Sequence, residues 1–470
     1  MAAWIAGKVL VPVPLAVDEA PCGFGDADIV IDLSGVTLTC DIVGGIWRLR
    51  LDESDDRNLP FARELAAGAR TLEAVLYRHR AGGDEEIRRG RFAVSGSYSA
   101  TLRLTLNEVA SWPAIFAAAL SREDLPYEAY LDRPRTAALS GIARLHFVIS
   151  APMRHVLGVL KGLVVVDQWN VGFAEGGARA LLSGGPLDVR WLPDPAPGTF
   201  LADPFLVERN GVRALFVEEY DYARDRGVID VITLDAQGRA VARERALEAP
   251  THLSYPFPLE VDGELYLVPE NAAGNEVALY RCVGFPAHWE RESVLFPAFD
   301  GVDTTIFTHA GRWWAFCTRI SRGSNVALYA FHASSARGPW APHLLNPVVV
   351  DVGRARPAGR PFVVDGHLYR PGQDCANTYG GAVVISRVDQ LTPLAYHESI
   401  VARVEPRGGA YCDGLHTVSI VRDTIVLDGK RTYIDLRYIS RLGRFFRNRS
   451  ARHRRLLGIP TGQPTLKTFR

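Results

Sequence analysis

Cysteine is sparse and scattered in this sequence. Its six copies, Cys22, Cys40, Cys282, Cys317, Cys375 and Cys412, include no CxxC pair and no histidine at ligand spacing. That excludes the common zinc frameworks and a disulfide scaffold, and free thiols fit a reducing cytoplasm. Net charge is absent too: 53 Lys and Arg balance 53 Asp and Glu, so no global basic field recruits nucleic acid. No apolar run approaches the roughly 20 residues of a spanning helix; the most apolar later stretch, Val156 to Val166, is short and interrupted by Lys161. The opening MAAWIAGKVLVPVPLAV has one Lys and an apolar run broken by prolines, a poor secretory signal. A cytoplasmic protein with no metal and no cofactor is the expectation. At 470 residues the chain exceeds one ordinary core, so at least two domains are expected.

Residues 1–125 read as alternating strand and helix. DADIVIDLSG (26–35) has the character of a buried parallel strand. GIWRLRL (45–51) and FAVSGSYSATLRLTL (92–106) alternate like strands, while Leu59 to Ala69 and Glu108 to Leu120 have helical spacing. Residues 126–165 form a helical connector, broken by Pro134 and Pro152. After Trp169 the character changes to short β-rich runs separated by turns. One unit recurs five times: a strand, a turn with Gly or Asp, then a second strand rich in aromatic residues. Its copies are LADPFLVERNGVRALFVEE (201–219), LSYPFPLEVDGELYLVPEN (253–271), VDTTIFTHAGRWWAFCTR (302–319), AGRPFVVDGHLYRPGQD (358–374) and LHTVSIVRDTIVLDGKR (415–431). Their turns fall near residues 210, 262, 310, 365 and 422, at intervals of 52, 48, 55 and 57, close to the roughly 50 residues of a four-stranded propeller blade. The expected fold is mainly β: a five-bladed β-propeller over 166–435, with a smaller N-terminal α/β domain. DQWNVGFA (167–174) supplies an extra strand that closes the ring on the last blade. A basic tail follows from 436 to 470.

Each copy carries a polar group near the start of its first strand: Asp203, Tyr255, Asp303, Arg360 and His416. In a propeller these converge on the central channel. An Asp before Pro is by itself a turn residue, but two Asp at equivalent repeat positions face one pocket. Glycosyl transfer needs such carboxylates, one to activate an acceptor or water and another to position the sugar. Second strands add Glu218, Glu219 and Glu270, of which Glu219 or Glu270 is the candidate acid. The fourth copy gathers Arg354, Arg356 and Arg360, with Arg370, Gln373 and Asp374 after them. Guanidinium forks bind carboxylate or phosphate; ordinary ion pairs on a loop are the alternative. Tyr255, Trp313, Trp314 and Tyr379 are candidates for stacking on a sugar face. In the tail, Phe445, Phe446, Leu456 and Leu457 stand among Arg, a composition that suits either an anionic membrane surface or a solvated segment.

The stretches QWNVGF, FLADPF, FVEEY, HLSYPF, LVPEN, GPW, NPV, ARPAGRP, QDC, YGG and GLHT resemble the N-terminal domain of the plant glucosamine inositolphosphorylceramide transferase family, over residues 165 to about 430. The propeller also resembles the fold of arabinanase and β-xylosidase type glycosidases. That resemblance implies an Asp of the first blade as base, an Asp of the third as modulator and a Glu of the fourth as acid. Asp203 and Asp303 match the first two, while Arg360 stands where the Glu would be. Related mannoside phosphorylases and mannosyltransferases bind phosphate-bearing groups. Residues 1–125, through DIVIDLSG, GIWRLRLDESD and EIRRGRFAVSGSYS, resemble the distal part of a formyltransferase domain. They lack its Asn-x-His pair, so no formyl transfer is expected from them.

These readings give one leading expectation: a carbohydrate-active propeller that transfers a glycosyl group from or to a phosphate-bearing partner, a sugar or nucleotide sugar. Asp203 acts as base, Asp303 orients the sugar, Glu219 or Glu270 is the acid, and Tyr255, Arg354, Arg356, Arg360, Gln373, Asp374 and His416 bind substrate. The alternatives are a non-catalytic glycan- or glycolipid-binding module, then a glycoside hydrolase or a sugar formyltransferase.

Overall fold

A computed structural model of the chain describes residues 4–5, 8–9, 30–32, 45–51, 60–80, 83–95, 97–120, 128–129, 140–184, 187–405 and 409–435. Strands dominate these residues. Near the N-terminus, β1 (Val30–Asp32) pairs parallel with β2 (Ile46–Arg50), and β3 (Thr71–Arg80) and β4 (Gly83–Ala93) extend the sheet antiparallel. Two helices follow, α1 (Tyr98–Val109) and α2 (Trp112–Leu120). The strand-like alternation over 92–106 is overridden after Ala93. Ser97 caps α1 by accepting the Ala100 N–H, and Thr101, Thr105, Glu108 and Val109 then share a buried face at helical spacing. The helix expected from Leu59 to Ala69 shortens to Ala62–Ala66. Most of DADIVIDLSG and the whole of the basic tail lie outside the described residues. The connector is helical over α3 (Gly141–Val164), which runs through Pro152 instead of stopping there.

Five antiparallel sheets follow. After β5 (Val165–Glu175) and β6 (Arg190–Trp191) come β7 (Thr199–Arg209), β8 (Val212–Asp221), β9 (Arg226–Leu234) and β10 (Ala240–Leu247), paired in that order. The second sheet is β11 (Ser254–Val261), β12 (Glu264–Glu270), β13 (Glu276–Gly284) and β14 (His288–Pro297). The third is β15 (Gly301–His309), β16 (Arg312–Arg319), β17 (Ala327–Ala333) and β18 (Ala341–Pro342), with Val349–Val350 also on β17. The fourth is β19 (Phe362–Val364), β20 (His367–Asp374), β21 (Ala382–Leu391) and β22 (Tyr396–Val404). The fifth combines β23 (Val418–Val421) and β24 (Thr424–Ile434) with β5 and β6, which precede all the others in sequence. β5 pairs with β24 along its whole length, from Val165↔Ile434 to Glu175↔Thr424.

The inner hairpins share one turn geometry. Asn210, Asp262, Ala310, Asp365 and Arg422 all have φ between +49° and +55°, and Gly follows the first four, also at positive φ. That is the turn whose twist matches paired strands. Hydrophobic clusters fill the spaces between neighbouring sheets: Phe205 of β7 packs with Tyr255 and Phe257 of β11 and Ile306 of β15. The N-terminal sheet rests against the third and fourth sheets through Trp47, Phe92, Trp112, Val350, Val352 and Cys375. Arg91 fixes this contact by donating to Asp351 Oδ1 at 2.7 Å and accepting the Val352 N–H at its carbonyl. The segment so anchored leads directly into Arg354 and Arg356.

Candidate functional site

The first strands of the first three sheets each carry a bulge at the same place, between Ala202 and Phe205, Ser254 and Phe257, and Val302 and Thr305. Asp203, Tyr255 and Asp303 sit in these bulges at φ +52°, +43° and +50°. Left-handed backbone at non-glycine residues is costly. Here it turns three side chains from the sheets toward one another. Asp203 is the hub: its Oδ2 accepts the Tyr255 N–H at 3.1 Å, its Oδ1 accepts the Thr417 hydroxyl at 2.6 Å, and its own N–H donates to Asp428 Oδ2 at 3.1 Å. Three sheets are tied together by one carboxylate.

A second set comes from the inner hairpins. Eight residues beyond each turn stand Glu218, Glu270, Thr318, Gln373 and Lys430. Asp303 accepts Arg356 through Nε at 2.6 Å and Nη2 at 3.3 Å, and the Gln373 amide at 2.9 Å. Glu270 Oε2 accepts the Asp303 N–H at 3.4 Å and lies 3.8 Å from Arg356 Nη2. Glu218 Oε1 lies 3.6 Å from His252 Nε2. Because His252 Nδ1 accepts the Gly227 N–H at 2.8 Å, the neutral ring presents an N–H to Glu218. Glu270 and Arg356 keep 10% and 12% of their side-chain surface, and His252 keeps 33%. Tyr379 lies under the Arg356 guanidinium at 5.1 Å and is 38% exposed. Beside it Trp169 covers His416, ring centroids 4.1 Å apart, and Lys430 pins the loop by donating to Thr378 Oγ1 and the Tyr379 carbonyl.

Crowding these acids together sets their protonation. Burial pushes the Asp203 carboxyl up to about 6; Asp303 and Asp428 add to this, while His416 and the Thr417 hydroxyl oppose it. Burial, with Asp203, Glu270 and Asp303 nearby, raises Glu218 well above the usual carboxylate range, against Arg356. Glu270 is raised well above its ordinary value by burial and by Asp303, again against Arg356. Burial lowers His252. It also works against a charged His416, but Asp428 and Asp203 outweigh it and hold that imidazole above its ordinary value. The cluster therefore combines one fixed ion pair, Arg356–Asp303, with carboxyls whose hold on their protons burial strengthens.

Several residues singled out from sequence stand elsewhere. Glu219 follows Glu218 on β8 and so points to the opposite face, where Arg243 and Arg245 pair with it at 2.5 and 3.1 Å. Arg354 pairs with Asp351 and Glu398 at 3.2 and 3.3 Å. Arg360 is half-buried, its guanidinium over Phe257 at 4.5 Å and donating to the Pro258 carbonyl; desolvation lowers it to about 10. Asp374 pairs with Arg403 and caps the Ala376 N–H. The three arginines thus do not form one anion cradle. Tyr255 is 0% exposed, with its hydroxyl 2.8 Å from Thr305 Oγ1; with Gln373 and His416 it supports the site from within the core. Trp313 and Trp314 lie at the outer end of their hairpin, next to its turn.

The reason for the Arg360 displacement is register. Asp203, Tyr255 and Asp303 all stand seven residues before their turns, but that position holds Ala358 and Leu415 in the last two copies. Asp428, His252 and Thr417 were not signalled by the repeat. The set eight residues past the turns was, and alignment on the turns alone finds it. Among the described residues one group has metal-ligand spacing: Asp203, His416 and Asp428, with donor atoms within 4.8 Å of one another. Every carboxylate oxygen in it already accepts a hydrogen bond, including the His416 and Thr417 N–H groups on Asp428 Oδ1. The carboxylates are satisfied in this way, but His416 is not: its Nδ1 is buried without a hydrogen-bond partner, although Asp428 Oδ2 lies 2.6 Å away.

Residues 193–408 match the family model described as glucosamine inositolphosphorylceramide transferase 1, N-terminal. The chain is 36% identical over 209 residues to glucosamine inositolphosphorylceramide transferase 1 of Oryza sativa subsp. japonica, covering 43% of this chain and 28% of that protein. The Arabidopsis thaliana protein of the same name is 35% identical over 209 residues, with 27% of its length covered. The chain thus spans less than a third of the length of these curated relatives. Among solved structures, a family 117 glycoside hydrolase of Zobellia galactanivorans superimposes with a TM-score of 0.37 at 13% identity, covering 57% of this chain and 91% of that one. An α-L-arabinofuranosidase from Podospora anserina gives 0.37 at 15% identity, over 49% and 80%.

Proposed function

We propose that the five sheets are the blades of a propeller over residues 166–435, and that the pocket of Asp203, Glu218, Glu270, Asp303 and Arg356 binds a sugar and supports glycosyl transfer. The observation that carries this reading is geometric: the Arg356–Asp303 pair stands 3.8 Å from Glu270, beside Asp203 and Glu218 whose side chains are almost fully buried. Glycosyl transfer needs both a proton donor and a proton acceptor around the anomeric centre. Glu270, the most exposed carboxyl of the four, is the donor. Asp203, pushed up to about 6, is the acceptor in its ionised form. Asp303 is held by Arg356 and Gln373 and orients the sugar, and Tyr379 offers a face for it.

Four acids against one already paired guanidinium disfavour a phosphate inside the pocket. The same surplus favours an amino sugar, whose ammonium would draw the proton off Glu218 and leave Glu270 as the donor. The relatives named for transfer of glucosamine support that choice. Any phosphate of the donor or acceptor then lies outside the ring of carboxyls. The N-terminal sheet is assigned a structural part, bracing the segment that carries Arg356.

One observation favours a second reading, a glycan-binding module without turnover: both oxygens of Asp203 are already engaged by Thr417 and Tyr255. One set of experiments separates the two. Thermal stabilisation of the full chain is measured with glucosamine, glucose, glucosamine 1-phosphate and myo-inositol 1-phosphate. Turnover of a sugar phosphate that stabilises is then followed by NMR in wild type, Glu270→Gln and Asp203→Asn. The transfer reading expects glucosamine to stabilise more than glucose, and loss of about 10²-fold or more in turnover in each variant. Unchanged turnover in both variants would remove these roles. Binding with no turnover in the wild type selects the module.

A further inference from the structure

α3 carries an apolar stripe that the described residues leave uncovered. Ile142, Leu145, Ile149, Met153, Val156 and Leu160 are between 51% and 84% exposed. Their spacing of three, four, four, three and four residues puts them on one side of the helix. The opposite side is anchored: Phe147 is buried and meets Tyr98 edge-on at 5.6 Å. Single exposed apolar residues need no explanation, but a continuous stripe along a 24-residue helix does.

Charge decides what covers it. The helix contains Arg144, Arg154 and Lys161, with His146 and His155, and no Asp or Glu. A second copy of α3 would bring together two helices that both carry net positive charge. Residues 436–470 are no better as a cover, since they hold nine Arg, one Lys and no acid. A basic helix with an apolar face suits an anionic lipid surface. Among the described residues no helix is long and apolar enough to cross a membrane, so the helix lies along the surface.

Its place in the fold is specific. α3 runs straight into β5, and Val164 accepts the Asp435 N–H at 2.8 Å where β24 ends. The Tyr222 hydroxyl donates to the Asp167 carbonyl nearby, and Tyr222 follows β8, the strand that brings Glu218 to the pocket. The helix therefore joins the sheets at the end of β8 that lies beyond Glu218, and the basic residues after 435 follow from the same point in sequence.

We propose that α3 docks this protein on an anionic membrane surface, its stripe of Ile142, Leu145, Ile149, Met153, Val156 and Leu160 seated among the lipids. The docking does not depend on what the pocket does. The test is co-sedimentation of the full chain with vesicles of phosphatidylcholine plus phosphatidylglycerol, against vesicles of phosphatidylcholine alone, at low and high salt. The wild type should bind the anionic vesicles and release in high salt. The variant Leu145→Glu/Ile149→Glu/Val156→Glu should bind about tenfold more weakly or worse, with an unchanged circular dichroism spectrum. Wild type that ignores anionic vesicles overturns the proposal. So does a variant that binds as well as wild type, which would assign the binding to residues 436–470. A wild-type dimer that the variant dissolves, seen by light scattering, also overturns it by making the stripe a self-interface. If the triple variant does not fold, hydrogen exchange of the wild type decides: slowed exchange over 141–164 on adding anionic vesicles supports docking, and unchanged exchange overturns it.

Discussion

Removing Arg356 should cost this protein far more than removing its partner. The guanidinium makes a two-point contact with Asp303, donates to Asn325 Oδ1 at 3.2 Å, and lies 3.8 Å from Glu270. It is the cation that opposes the raised pKa of both Glu218 and Glu270. Arg356→Ala strands the Asp303 carboxylate in the core with only Gln373 as a side-chain donor, and breaking a buried pair in this way costs about 3–5 kcal/mol. Asp303→Asn leaves the guanidinium with Glu270 within reach, so Glu270 can ionise and take over; the expected cost is about 1–3 kcal/mol. The double variant should then be more stable than the sum of the two losses predicts, by about 1–3 kcal/mol. Arg356→Lys should recover only part of the loss, because an ammonium cannot make the planar two-point contact. Urea denaturation of the four proteins, followed by far-UV circular dichroism, gives the cycle. Additive losses, or an Arg356→Ala protein within about 0.5 kcal/mol of wild type, would refute the claim that this pair carries the electrostatics of the pocket.

Stability should fall as pH rises through the range where the pocket acids ionise. Asp203 moves from 3.8 to about 6 on folding, a raised value, so its contribution is full below about pH 4 and lost as pH climbs through about 6, worth about 3 kcal/mol. Asp203→Asn should flatten that loss, and Glu270→Gln should be relatively more stabilising at pH 8 than at pH 5; midpoints of urea curves across pH check both. Gly359→Ala tests the junction of the fourth and fifth sheets. Gly359 has φ +131°, and a Cβ there would stand 1.8 Å from the Val418 carbonyl oxygen. A loss of about 4 kcal/mol or more is expected, and a variant with an unchanged thermal midpoint contradicts the packing described.

The repeats were legible because their turns are. Asn-Gly, Asp-Gly and Ala-Gly pairs between apolar strands signal tight hairpins directly, and the polar bulge residues Asp203 and Asp303 stood at matching positions. What stayed hidden is parity and partnership. FVEEY gives two adjacent acids on opposite faces of β8, and the preceding ALFV is apolar on both faces, so the sequence alone does not say which acid faces inward and points to Glu219 where Glu218 joins the cluster. Three arginines within seven residues looked like one cluster. Their loop instead sends Arg354 to Glu398, Arg356 to Asp303 and Arg360 to Pro258, contacts that depend on sheets far away in sequence. Asp428 reads as an ordinary strand residue because its partners, the backbone N–H groups of Asp203, His416 and Thr417, leave no trace in composition. The helical override of 92–106 turned on a single serine cap.

The shared fifth sheet has a bearing on how the protein comes to exist. Gln168 and Arg431, hydrogen-bonded across it, are 263 residues apart. A nascent chain emerging from the ribosome holds β5 for the greater part of its synthesis before β24 arrives to pair with it. Until then one flank of the first sheet stays open, and Asp203 lacks Thr417 and Asp428 to share its charge. Completion of this cluster awaits a contact distant in sequence, the kind that slows folding, and any chain cut short before β24 would leave Asp203 without Asp428.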